Sequence, residues 1–135
     1  MMSFYEVPDI VLETPQGKIL VECKRDIQDA DIRTILEGLE TYVRRAHGQT
    51  PKFTVLVDLN QIRILRGLEP KPVSILVTSD ILSVYDDKFR DQVIYESYLT
   101  SLVEGWLDDF AFGWKEKDPP GRDRLPEDLV QALAA

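Results

Sequence analysis

Apolar residues along the chain alternate between strand and helix spacing. Asp9–Glu13 (DIVLE) and Lys18–Lys24 (KILVECK) are short runs rich in β-forming residues, the second with period-2 alternation. Thr14–Pro15–Gln16–Gly17 between them reads as a turn, with Pro fixing φ at its second position and Gly closing it. If Glu13 and Lys18 flank this turn, paired residue numbers sum to 31. Leu12 then faces Ile19 and Ile10 faces Val21 on an apolar side. On the other side Val11 faces Leu20, Asp9 stands opposite Glu22, and Lys24 follows two residues on. From about Asp29 to His47, Ile32, Ile35, Leu36, Leu39, Val43 and Ala46 make one helical stripe, with Asp29 as N-cap and Gly48 and Pro51 as stops.

The rest of the chain continues the alternation. Phe53–Val57 has the unbroken apolar character of a central parallel strand reached by a helical crossover. Asp58–Leu59–Asn60 turns the chain, Ile62–Leu65 returns with Arg63 outward, and Val73–Val77 is a further buried strand. Thr78–Ser79–Asp80 opens a helical turn. Asp86 or Asp87 caps a long helix running to about Phe112, and Pro126 begins a last helix through Leu133. Tyr95, Tyr98, Trp106 and Trp114 are read as core packing in preference to base stacking or a dimer face. The whole is one α/β domain over residues 1–135, a mixed sheet flanked by helices, with a core at about 7–85 and a helical part at about 86–135.

Chemistry concentrates on the polar side of the first hairpin. Two carboxylates directly opposite each other repel unless a cation compensates them. A hard divalent ion does so while keeping waters for chemistry. Pro8–Asp9, a gap, then Glu22–Cys23–Lys24 resembles the PD-(D/E)xK nuclease signature. The form PDIVLE…GKILVECK is most similar to the N-terminal nuclease domain of type I restriction enzyme motor subunits. The resemblance covers roughly residues 7–85 and implies a restriction-endonuclease-like fold. It implies a metal-dependent endodeoxyribonuclease, with Asp9 and Glu22 binding Mg²⁺ or Mn²⁺ through carboxylates and Cys23 through its backbone carbonyl. Lys24 orients or deprotonates the attacking water. Such nucleases usually place a helix, often with an acidic residue, before the PD strand. The residues ahead of Pro8 leave no room for it, and Glu6, the only upstream acid, reads as a strand-start residue.

Charge and composition narrow this picture. The net charge of −8 argues against a free-standing nucleic-acid binder. It is uneven: residues 1–70 hold 9 basic and 11 acidic side chains, residues 71–135 hold 7 and 13, so a DNA-facing surface belongs to the first half. One cysteine forms no internal disulfide, and no signal-like or membrane-length apolar run occurs, which fits a cytoplasmic protein. Cys23 reads as a small buried hydrophobe. His47 suits a helix C-terminus, and a lone histidine excludes multi-histidine metal sites. Cutting both strands of DNA calls for two sites, hence a twofold homodimer, with or without a partner protein. The rival reading is a non-catalytic interaction or regulatory module with the nuclease fold, favoured by the acidic surface and the missing helix.

Overall fold

A computed structural model describes residues 6–135. Ile10–Thr14 (β1) and Gly17–Cys23 (β2) form the expected hairpin: Ile10 pairs with Val21, Leu12 with Ile19 and Glu13 with Lys18. After a loop and one 3₁₀ turn at Asp29–Asp31, the helix Ile32–Arg45 (α1) crosses over to Phe53–Val57 (β3), which pairs in parallel with β2. Gln61–Arg66 (β4) and Ser74–Val77 (β5) follow antiparallel, giving the sheet order β1-β2-β3-β4-β5. Thr78–Leu82 (α2), Glu96–Phe112 (α3) and Glu127–Ala134 (α4) complete the chain. The protein is α/β, a five-stranded mixed sheet flanked by helices. No helix of the described residues is long and apolar enough to cross a membrane.

Strand alternation divides the core in two. Ile10, Ile19, Val21, Cys23, Phe53, Val55, Val57, Ile62, Ile64 and Leu76 point to one face and are buried under α2, α3 and α4. Leu20, Leu56 and Leu65 point to the other and pack on the Ile32, Ile35, Leu36, Leu39 and Val43 stripe of α1. Cys23 is buried, and that burial pushes its thiol up to about 12, which leaves it inert.

Several expectations need correcting. The α1 N-cap is Asp31 rather than Asp29, which sits in the preceding 3₁₀ turn; the Asp31 carboxylate accepts the Gln28 N–H at 2.9 Å. Arg63 is buried, not outward. Its guanidinium donates to the Ile27 carbonyl at 3.1 Å and lies 3.6 Å from the Asp58 carboxylate. Asp58, also buried, accepts the N–H groups of Ile27, Asn60 and Gln61, so the loop after β2 is tied to the β3–β4 turn. The β5 strand is an edge strand, and Val73, Ile75 and Val77 are exposed on the α1 side. The long helix begins at Glu96, not near Asp86; residues before it form turns in which Asp86 accepts from Lys88 N–H, the Gln92 amide and the Tyr98 hydroxyl. Trp106 is fully buried and donates to the Pro120 carbonyl at 2.9 Å, but Tyr95, Tyr98 and Trp114 are exposed.

Candidate metal centre

The hairpin ladder ends at Ile10–Val21, one pair before Asp9 and Glu22. Asp9 leaves the strand, and its side chain continues the pairing: Oδ2 accepts the Cys23 N–H at 2.7 Å. The next amide, Lys24 N–H, turns the other way and donates to the Val57 carbonyl of β3 at 2.9 Å. N–H and C=O of one strand residue face the same edge, so the Cys23 carbonyl lies on the Asp9 side. Glu22 is paired with Leu56 of β3 and is only 3 % exposed.

Three carboxyls meet at Glu22. Both Asp9 and Glu6 lie within hydrogen-bonding reach of its side chain. Burial, then these two acidic neighbours, push the Glu22 carboxyl far up, to about 10. Its Oε2 is buried and meets no donor among the described residues. The contacts with Asp9 and Glu6 therefore bond only when one carboxyl carries a proton, and an ionised Glu22 faces two carboxyls, with the Lys24 ammonium only as a more distant charge. Among the described residues, no three Asp, Glu, His or Cys side chains already stand around a common ion position. Asp9 and Glu6 each act on Glu22.

Lys24, two residues beyond Glu22, takes a partner outside the hairpin. Its ammonium pairs with Glu6 Oε1 at 2.9 Å, and this bond, ahead of the more distant Glu22 and Glu96 charges, raises its pKa. Glu6 is the residue that sequence reasoning missed. It is not a strand-start residue: it lies outside β1, its N–H donates to the Gly38 carbonyl of α1 at 3.1 Å, and its side chain is 13 % exposed. It thereby supplies an upstream acid without an upstream helix in the described residues. The only sequence sign was an acid three residues before Asp9.

The donor set fits a hard divalent cation. It is all oxygen, with at least two carboxylates, one orphaned buried carboxylate oxygen and a carbonyl at its edge. Compared with known proteins, the chain matches no family model, no curated protein and no solved structure.

Proposed function

We propose that the protein is a Mg²⁺- or Mn²⁺-dependent nuclease that hydrolyses DNA phosphodiester bonds. The observation that carries this reading is Glu22: a buried carboxyl whose Oε2 meets no donor among the described residues, flanked by two more carboxyls and followed by a lysine. Removing a like-charged cluster from water without a counterion is costly, and a dication relieves it. Asp9, Glu22 and the Cys23 carbonyl would hold the ion, with Glu6 beside them. The bound ion supplies Lewis acidity at the phosphate and a water that ionises near neutral pH. Glu22 must lose its proton to take part, so loading is favoured by rising pH. Asp9 stays fixed by the Cys23 N–H and sets where the scissile phosphate can approach. Lys24, held as an ammonium, orients the attacking water and offsets charge at the phosphate.

The test is supercoiled plasmid incubated with Mg²⁺, Mn²⁺ or EDTA, alongside thermal unfolding under the same conditions. Wild type should nick or linearise the plasmid with either metal and melt at higher temperature with it; Asp9→Asn should lose both effects. Absence of cleavage and of metal stabilisation in wild type would end this reading. A cut through both strands needs two sites, so the reading carries a twofold homodimer, checked by sedimentation at tens of micromolar. The second reading, a non-catalytic interaction module, draws on the Glu6–Lys24 pair, which already occupies the lysine, and on the net charge of −8. Under it Lys24 is a structural counterion, and Mg²⁺ changes nothing.

A further inference from the structure

We infer that Glu6 is a latch on Lys24, holding the ammonium while the carboxyl cluster is without a cation and giving it up when a divalent cation enters. The inference rests on the metal-centre reading above and concerns how that centre is regulated.

Its basis is a difference in how the four groups are anchored. Asp9 is pinned by the Cys23 N–H at 2.7 Å, and Glu22 lies in a strand paired on both sides. Glu6 and Lys24 lie outside the ladder. Among the described residues, the backbone N–H of Glu6 is tethered to Gly38 at 3.1 Å and that of Lys24 to Val57 at 2.9 Å. These two residues can move their side chains without breaking the sheet. Glu6 is also the only member of the cluster in contact with both kinds of partner: its Oε1 meets the Lys24 ammonium at 2.9 Å, and its carboxyl reaches Glu22.

A carboxylate with two oxygens serves an ammonium or a dication in the same place. A dication has twice the charge, and oxygen ligands bind it at 2.0–2.6 Å, closer than any ammonium contact. When the cluster takes up an ion, the stronger cation claims Glu6. The lysine, repelled by the ion and deprived of its partner, turns outward, where a substrate phosphate or attacking water meets it. Lys24 is therefore withheld until the centre is loaded.

Two measurements test this without relying on activity. Mg²⁺ affinity is measured by calorimetry for wild type, Glu6→Gln, Lys24→Ala and the double variant. The hydrogen-bonded Lys24 ammonium is followed by ¹⁵N NMR and assigned by its loss in Lys24→Ala. A latch predicts that Lys24→Ala tightens Mg²⁺ binding, and that this gain shrinks by about threefold or more when Glu6 is already Gln, because the competitor acts chiefly through Glu6. It also predicts that saturating Mg²⁺ removes the ammonium signal. An equal gain in both backgrounds overturns the latch, as does a signal that persists at saturation or a wild type that binds no Mg²⁺. Plasmid cleavage is scored in parallel. Cleavage with an unaffected Lys24 signal sinks the latch and leaves the nuclease, whereas a released signal without cleavage keeps the latch and sinks the nuclease.

Discussion

Glu22 sets the pH behaviour of the metal-free protein. Its pKa in the folded chain is raised from 4.5 to about 10. The folded state thus binds a proton more tightly than the unfolded chain, and the stability this contributes is complete below about pH 4.5. It is lost as pH rises toward 10, since the folded chain then holds a proton that the unfolded chain has released. Glu22→Gln keeps the shape and cannot ionise. It should raise the stability of metal-free protein at pH 8 by about 1–3 kcal/mol and have little effect at pH 4. Urea titrations at the two pH values check this; parallel curves for both proteins would refute it. Asp9 and Glu22 were legible in the sequence because a turn of defined length fixes which residues oppose each other. Glu6 was not, because no periodicity relates it to the hairpin: its place comes from a tertiary bond to the Gly38 carbonyl of α1.

At the scale of elements, periodicity located β1 to β4 and α1 closely, but misjudged the stretch before α3. Phe89, in a single 3₁₀ turn, and Ile94 are buried there without an α-helix, and Asp86 satisfies the turns by accepting bonds from three residues. Apolar spacing counts buried residues and is blind to such local hydrogen bonds. The same blindness put Arg63 outside. Inside, Asp58 is held chiefly by three backbone N–H groups, with the Arg63 guanidinium at 3.6 Å. Asp58→Ala leaves those donors without an acceptor and takes the buried carboxylate away from the Arg63 guanidinium, and should cost about 3 kcal/mol or more. Arg63→Met fills similar space and should cost less, about 1 kcal/mol. Equilibrium denaturation ranks the two; the reverse order would show that the ion pair, rather than the turn, carries the stability.

For the whole molecule, the helical layer after β5 docks on the sheet through a close approach at Gly121. A Cβ there would lie 2.5 Å from Leu76 Cδ2 and 2.7 Å from Ile81 Cδ1, and the backbone has φ 81°. Gly121→Ala therefore meets both strain and overpacking and should cost about 1–3 kcal/mol. A variant as stable as wild type in urea would mean that this layer can shift outward freely. The α/β class was readable from alternating strand and helix periods. The exposed Val73, Ile75 and Val77 were not, since a run of apolar residues does not say whether a strand is central or at an edge.

The Thr14–Gly17 turn lies at the far end of the hairpin from the carboxyl cluster, about 17 Å along the strand. It works as a length gauge for a site it never touches. Gly17 holds φ 132°, and the Thr14 hydroxyl donates to the Gly17 carbonyl at 2.6 Å, which fixes the count of rungs up to Ile10 and Val21. One residue inserted after Gln16 alters no group in the cluster, yet it offsets β1 against β2 by a single step. Because β2 is locked into the sheet by β3, the slip falls on β1 and turns Asp9 away from Glu22. Such an insertion should leave the circular dichroism spectrum near that of wild type while abolishing Mg²⁺-dependent stabilisation. Chemistry at one end of this hairpin is thus calibrated by loop length at the other.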